Sequence, residues 1–199
     1  MAARNVPRET FEALDRFTTL LRREAQTQNL IAASTLECIW ARHIVDSAQL
    51  LDQATQWRSW LDLGAGAGFP GLVVALLGEG KVTLVESRAK RIGFLREAIE
   101  ISGLADRVEL VGSRVETLAA RRYDVISARA FAPLDRLFSL ASKFAGQDTR
   151  WILPKGKSAA HELEAARGTW QGRFELVPSI TDSEAAIVVA EGVTPRKRR

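Results

Sequence analysis

The chain has 199 residues, 46% of them hydrophobic, and a formal net charge of +4. This size and apolar fraction predict one compact globular domain, and the weak positive charge allows a nucleic-acid partner without requiring one. The single cysteine, Cys38, excludes a disulfide framework and a zinc cluster, and no apolar run approaches the roughly 20 residues of a membrane span, so we expect no metal and a cytoplasmic protein without a membrane partner.

Two helices are predicted at the N-terminus. Apolar residues at helical spacing favour the first over 8–26. Ser34 followed by Glu37 has the spacing of a capping box, which predicts a second helix that runs to about residue 51. That helix carries His43 and Asp46, whose roles stay open between a structural hydrogen bond and a lid over a site. We expect residues 1–55 to form a helical cover over a sheet edge or the mouth of a site.

Strands and helices alternate after this cover. The predicted strands are 59–63, 81–86, 107–111, 123–127, 149–154, 173–178 and 185–190. The predicted helices are 70–78, 88–102, 133–145 and 157–169. Such alternation predicts a mostly parallel α/β sheet, and the short connection before the last strand predicts a C-terminal antiparallel hairpin. This core is expected over 56–192, followed by a basic, disordered tail over 193–199.

A glycine-rich turn stands between the first predicted strand and helix, in Leu63-Gly-Ala-Gly-Ala-Gly-Phe-Pro-Gly71. Glu86 follows about 20 residues later, at the end of the next strand, where a carboxylate can accept both hydroxyls of a ribose. The dinucleotide pattern G-x-G-x-x-G is not met in register, because Phe69 occupies the third glycine position. The G-x-G-x-G spacing instead resembles the S-adenosylmethionine (SAM) loop of class I methyltransferases.

Two further loops follow later strands at the same edge of the predicted sheet. Val115 and Glu116 follow the third strand, where a backbone amide and an acid can read an adenine edge. Arg129 follows the fourth strand and either faces the far end of the cofactor or forms a surface ion pair. Phe69 and Phe131 are candidates to stack on a target base, or they are packing residues.

Several short elements together carry a more specific resemblance. In chain order they are Arg42-His43-x-x-Asp46-Ser47, the glycine loop ending at Gly71, Glu86-Ser87-x-x-Lys90-Arg91, Arg114-x-Glu116, Ser127-Ala-Arg-Ala130 and Lys155-Gly156. Over roughly residues 10–190 the chain resembles the ribosomal RNA small subunit methyltransferase G family, also called glucose-inhibited division protein B.

The resemblance implies methyl transfer from SAM to N7 of one guanine in small-subunit (16S) ribosomal RNA. N7 has a free lone pair and no proton to lose, so alignment suffices and no general base is expected. The cofactor contacts map to Gly64, Phe69, Val115, Glu116 and Arg129, beside Glu86 at the ribose, and Arg129 is expected to orient the cofactor and steer the incoming nucleotide. Lys155, Arg88 and Arg91 are candidate contacts to RNA phosphate.

Other functions stay open at this point. The chain could methylate another RNA, bind RNA without catalysis, or be a nicotinamide-binding Rossmann oxidoreductase. The oxidoreductase would need an acid–base pair near the site, whereas the only tyrosine, Tyr123, opens a strand. The expected partner is small-subunit ribosomal RNA or the 30S particle, and a monomer is expected.

Overall fold

The computed structural model describes residues 6–54 and 56–197 and shows a seven-stranded sheet in the order β3-β2-β1-β4-β5-β7-β6. The first five strands of the chain run parallel, whereas β7 is antiparallel to both β5 and β6. The predicted mostly parallel sheet with a final antiparallel hairpin is therefore confirmed. The strands are β1 Ser59–Leu63, β2 Lys81–Glu86, β3 Val108–Gly112, β4 Val125–Ser127, β5 Arg150–Lys155, β6 Trp170–Pro178 and β7 Ala186–Pro195.

Helices cover both faces of this sheet. The α-helices are α1 Arg8–Glu24, α2 Asp46–Ala48, α3 Gly71–Leu77, α4 Ala89–Ile101, α5 Leu134–Ala141 and α6 Ala159–Thr169. Single 3-10 turns lie at Ala33–Thr35, Val115–Thr117 and Ser142–Phe144. Among the described residues, no helix has the length and apolarity to cross a membrane.

The second N-terminal helix differs from its prediction. The chain is a π-helix over Trp40–Val45, continues through α2 and ends as a 3-10 helix over Gln49–Gln53. We call Trp40–Gln53 the helical segment. The predicted capping box is wrong, because Ser34 lies inside a 3-10 turn that has no side-chain cap. A sequence pattern for a cap carries no information on the wider π-helical winding that follows it.

Strand β7 extends into the predicted tail. The sequence predicts disorder from residue 193, but 193–195 belong to β7, where Thr194 and Pro195 stand opposite Gln171 and Trp170 of β6. The backbone of Arg196 still donates to Thr169. Both hairpin strands are thus longer than their apolar stretches, because pairing of the backbone does not require apolar side chains. The last two residues, 198 and 199, lie outside the described residues, as do 1–5 and 55 of the predicted N-terminal cover.

The core has two parts, one on each face of the sheet. Side chains alternate along β1, so that Trp60 packs on the face of α1, α3 and α4, whereas Leu61 and Leu63 pack on the face of α5 and α6. Phe17 of α1 is fully buried and contacts Phe69 of the glycine loop with ring centroids 5.3 Å apart. The N-terminal cover therefore packs directly on the loop that follows β1.

Candidate active site

Four loops meet at the carboxyl edge of the parallel strands and enclose a cleft of about 310 Å³. They follow β1, β2, β3 and β4, the place where open α/β sheets bind their ligands. We call this the glycine-loop cleft, and it is defined by Gly64, Glu86, Arg91, Val115, Glu116 and Phe131. The sequence thus predicted four loops that the fold brings together.

Gly64 begins the loop with a backbone that suits glycine. Its φ is +69°, in the left-handed region, and its N–H donates to the carbonyl of Val85 at 2.9 Å. A Cβ placed on Gly64 would lie 2.5 Å from Cδ2 of Phe131. The absence of a side chain at Gly64 therefore lets the Phe131 ring close one end of the cleft.

The carboxylate of Glu86 is directed at the glycine loop. It is 6% exposed, with Oε1 accepting the backbone N–H groups of Ser87 at 2.7 Å and Arg88 at 2.9 Å. Oε2 accepts the N–H of Gly66 at 3.1 Å and lies 3.7 Å from the guanidinium of Arg91. A carboxylate has about four lone-pair positions, and in the part of the chain that the structure describes these amides occupy three, which leaves one for a further hydrogen-bond donor.

Asp62 is a buried acid that the sequence interpretation did not single out. Its Oδ1 accepts the hydroxyl of Ser127 at 2.7 Å and its Oδ2 accepts the N–H of Gly71 at 3.0 Å, which joins β1 to β4 and to the start of α3. Burial raises the pKa of Asp62 to about 6, although the hydrogen bonds from Ser127 and Gly71 and the charge of Arg129 act to lower it. The available signal was an acid inside an otherwise apolar strand immediately before the glycine loop.

A second cleft of about 660 Å³ lies beside the first and shares the segment 130–132 with it. We call it the second cleft, and it is defined by His43, Asp46, Arg129, Phe131, Lys155 and Asp182. Ala130, in the shared segment, has a φ of +50°, which is uncommon for a residue with a side chain. The partition between the two clefts is thus a sharply turned stretch of backbone that carries Phe131.

Arg129 is held at this partition by residues of the helical segment. Its Nη1 donates to Nδ1 of His43 at 3.1 Å and lies 3.6 Å from Oδ2 of Asp46. Its guanidinium carbon lies 5.1 Å from the centroid of the Phe69 ring, and the His43 ring stacks on the same phenyl group at 4.9 Å. His43 and Asp46 therefore take part in a network around Arg129, a role that their positions in the sequence did not reveal.

The tautomer of His43 follows from these contacts. Because Nδ1 accepts from Arg129, Nε2 carries the proton and donates to the hydroxyl oxygen of Thr35, 2.9 Å away. Burial, followed by the charges of Arg129 and Arg42, lowers the pKa of His43 to about 4. The imidazole is neutral above that pH and remains an acceptor for Arg129.

The turn between β6 and β7 is bound to the helical segment. Oδ1 of Asp46 accepts the hydroxyl of Thr181 at 2.7 Å and the amide of Gln49 at 2.8 Å. Arg42 and Asp182 form an ion pair at 2.9 Å. Asp46 therefore links the C-terminal hairpin to Arg129.

The candidate residues divide between the two clefts. Those that line the glycine-loop cleft are Gly64, Glu86, Arg88, Arg91, Val115 and Glu116. Arg129 and Lys155 line the second cleft instead, and Phe69 is buried between Phe17, His43 and Arg129. Nζ of Lys155 donates to the carbonyl of Ala132 and to Glu162, so this lysine is tied to the partition.

Asp62 and His43 predict opposite pH dependences of stability. The pKa of His43 falls from 6.5 to about 4 on folding, so this residue makes the free energy of unfolding rise with pH between these values. The pKa of Asp62 rises from 3.8 to about 6 on folding, so this residue makes the free energy of unfolding fall with pH over nearly the same interval. Each effect is on the order of 3 kcal/mol, and the two largely cancel.

Single substitutions should reveal each dependence in denaturant unfolding between pH 4 and 6.5. Relative to the unsubstituted protein, Asp62→Asn should gain stability as pH rises and His43→Asn should lose it, each by about 3 kcal/mol. Profiles that run parallel to that of the unsubstituted protein would show that neither group titrates as described.

Comparison with protein families supports the sequence resemblance. The model of the family described as rRNA small subunit methyltransferase G matches residues 10–186. A protein of Rhizorhabdus wittichii called ribosomal RNA small subunit methyltransferase G is 58% identical over 194 residues, which cover 96% of this chain and 89% of that protein. A protein of the same name from Zymomonas mobilis is 47% identical, with 98% and 91% covered.

Solved structures with a similar fold are more distant in sequence. An O-methyltransferase from Bacillus cereus, described as a complex with SAH, has a TM-score of 0.60 at 19% identity, with 94% of this chain and 93% of that chain covered. A structure described as a putative O-methyltransferase from Klebsiella pneumoniae has a TM-score of 0.63 at 16% identity, with 90% of each chain covered. These two comparisons establish the shared fold.

Proposed function

This chain belongs to the rRNA small subunit methyltransferase G family, and from that membership together with the two clefts we infer how it carries out its reaction. The chain is a SAM-dependent methyltransferase that acts on small-subunit ribosomal RNA. The observation that carries the assignment of the site is the buried carboxylate of Glu86, which lines the glycine-loop cleft and accepts a hydrogen bond from the backbone of the glycine loop.

The residues of the glycine-loop cleft fit SAM. Glu86 has a lone pair for a ribose hydroxyl, and Gly64 lines the cleft beside the Phe131 ring. We assign the backbone of Val115 and the carboxylate of Glu116 to the adenine. When bound, SAM supplies a methyl group on a positively charged sulfur, and its transfer to a purine N7 leaves S-adenosylhomocysteine and positive charge on the base, with no proton released.

Guanine N7 is our proposed acceptor, because it needs neither a cysteine nucleophile nor a histidine base. Among the described residues that line them there is no cysteine nucleophile, and Cys38 is an exposed thiol elsewhere. His43 directs Nδ1 at Arg129 and Nε2–H at Thr35, so neither nitrogen serves as a base. An acceptor with a free lone pair needs only alignment with the methyl group.

The second cleft is our proposed site for the target nucleotide, since it shares the partition at 130–132 with the cofactor site. A base must leave its stack to enter such a cleft, which is typical of enzymes that modify nucleic-acid bases. Arg88 and Arg91 line the glycine-loop cleft. We propose that they contact RNA phosphate and add affinity without reading sequence. We further propose that the enzyme acts as a cytoplasmic monomer, on small-subunit ribosomal RNA or on the 30S particle.

Binding of the cofactor is tested by thermal unfolding with SAM, S-adenosylhomocysteine and NAD. The first two should raise the melting temperature by several degrees at 100 times their dissociation constants, because a ligand that binds only the folded state stabilises it by about 2.7 kcal/mol. NAD should have no effect. Stabilisation by NAD alone would reject the methyltransferase assignment in favour of a nicotinamide site.

The acceptor is tested with methyl-labelled SAM and small-subunit particles from a strain that lacks the enzyme. Label should appear in the ribosomal RNA as 7-methylguanine, and RNA that carries 7-deazaguanine at the target position should take up none. Label at another atom of the base would contradict the N7 assignment. Label only in free small molecules would contradict the RNA assignment.

A further inference from the structure

The turn Val115–Thr117, which we assign to the adenine, has little support of its own. It is a single 3-10 turn that follows β3, an edge strand of the sheet. The N–H groups of Thr117 and Leu118 donate within the turn at 3.1 and 3.3 Å, and the hydroxyl of Thr117 bonds to that of Ser113 at 2.8 Å. Hydrogen bonds in 3-10 turns have poor geometry, and the last carbonyl groups of a helical turn have no partner within it. These carbonyl groups need partners from elsewhere in the fold.

Lys143 is the partner of two carbonyl groups in and directly after this turn. It lies in the 3-10 turn Ser142–Phe144 that follows α5, and its Nζ donates to the carbonyl oxygen of Glu116 at 2.9 Å and to that of Leu118 at 2.7 Å. A charged donor forms a stronger hydrogen bond than a neutral one does. Among the described residues, those that line the two clefts do not include Lys143, so this lysine acts on the turn and not on a ligand bound beside it.

The position of Lys143 is itself fixed by the core. Its Nζ lies 5.1 Å from the centroid of the Phe144 ring, a buried side chain that contacts the ring of Tyr123. The side chain of Val115 is buried in the same part of the core, on the face of α5 and α6. The adenine-side turn is thus held in two ways, by the burial of Val115 and by the ammonium group of Lys143. A site that is already held in its binding shape loses less conformational entropy when the ligand arrives.

Recognition of adenine depends on the direction of the groups in this turn. The purine offers an amino group that donates and, beside it, a ring nitrogen that accepts. A backbone N–H group and a carboxylate match this pair only when both are directed at it together. In hypoxanthine a carbonyl group replaces the amino group and accepts where adenine donates. A turn of fixed shape therefore favours adenine over hypoxanthine, whereas a loose turn discriminates less between them.

We propose that Lys143 is a positioning residue for the cofactor, which holds the carbonyl groups of Glu116 and Leu118 and so keeps the turn in the shape that recognises adenine. This rests on the proposed function of the glycine-loop cleft. Methyl transfer takes place at the sulfur, at the other end of the cofactor from the adenine. Lys143 therefore sets the affinity for the cofactor and leaves the chemical step unchanged.

The test compares S-adenosylhomocysteine with S-inosylhomocysteine, which carries hypoxanthine, by calorimetry on the unsubstituted protein and on Lys143→Met. The unsubstituted protein should bind the adenosyl compound about 100-fold more tightly than the inosyl compound, because two hydrogen bonds are reversed between them. In Lys143→Met the affinity for the adenosyl compound should fall about 10-fold and that for the inosyl compound less than about twofold. A general loss of stability would weaken the binding of both compounds alike.

Two further measurements separate this role from a merely structural one. In Lys143→Met the KM for SAM should rise about 10-fold with small-subunit particles as substrate, while kcat stays within about twofold. Hydrogen exchange of the Thr117 and Leu118 amides, which donate within the turn, should become about 10-fold faster. Lys143→Arg keeps a charged donor and should recover part of each effect.

Lys81→Met is the matched control, because Lys81 is an exposed lysine at the start of β2, at the opposite edge of the sheet from Glu86. It should leave the preference for adenine, the KM and the hydrogen exchange of the turn unchanged. A preference that survives intact in Lys143→Met would overturn the role of Lys143 and leave the cofactor site standing. An unsubstituted protein that binds the two compounds equally would contradict the assignment of the turn to adenine, and the proposal with it.

Discussion

Gly64→Asp should lower the affinity for SAM by about 100-fold or more, equivalent to about 2.7 kcal/mol. Three effects add in the same direction. The φ of +69° disfavours any side chain, and the new Cβ would lie 2.5 Å from Phe131, whose ring forms a wall of the cleft. The carboxylate would also add negative charge opposite Glu86. Isothermal calorimetry with SAM and S-adenosylhomocysteine measures the loss.

Gly103→Asp provides a matched control for the backbone strain. Gly103 has a φ of +68°, nearly that of Gly64, but nothing lies within 4 Å of a Cβ placed on it. This variant should lose a similar amount of stability from strain and keep its affinity for SAM. If Gly64→Asp binds SAM as tightly as Gly103→Asp does, the glycine loop does not hold the cofactor.

Glu86→Gln should lower the affinity for SAM about 30- to 100-fold. The amide nitrogen of glutamine is a donor, not an acceptor. It would therefore stand against a backbone N–H group, of Gly66 or of Ser87 and Arg88, that donates to the Glu86 carboxylate. The substitution thus removes the acceptor proposed for the ribose and disturbs the loop beneath it. Equilibrium binding of S-adenosylhomocysteine measures this effect.

A ligand without ribose hydroxyls identifies which part of the loss concerns the ribose. The unsubstituted protein should bind 2′,3′-dideoxy S-adenosylhomocysteine much more weakly than the natural compound, whereas Glu86→Gln should bind the two alike. Equal losses from the ligand change in both proteins would place Glu86 away from the ribose. Glu109→Gln, on the adjacent strand β3, serves as the control acid.

Local patterns in the sequence predicted the sheet and its carboxyl edge. The apolar run before Gly64 and the acid at Glu86 each depend on contacts within one strand–turn unit, and the parallel topology then brings such units to one edge. For the same reason the sequence places Val115 and Glu116, which follow the next strand across, at the same edge as Glu86. Strand ends are harder to locate, as the hairpin that extends to Pro195 shows.

The second cleft was not predictable from such patterns. It depends on the pairing of Asp46 with Thr181 and of Arg42 with Asp182, residues about 140 positions apart that no periodicity connects. Arg129 was placed at the correct strand end, but its direction is set by His43 on the helical segment. The role of Asp62 was not predictable either, because its partners, Ser127 and Gly71, come together only in the folded chain.

The most direct test of the account is a crystal structure of the protein with S-adenosylhomocysteine. We expect the nucleoside in the glycine-loop cleft, with a ribose hydroxyl within hydrogen-bond distance of Glu86, the adenine beside Val115 and the sulfur directed at the partition formed by residues 130–132. A nucleoside bound in the second cleft, or a Glu86 carboxylate without contact to the ribose, would contradict the account.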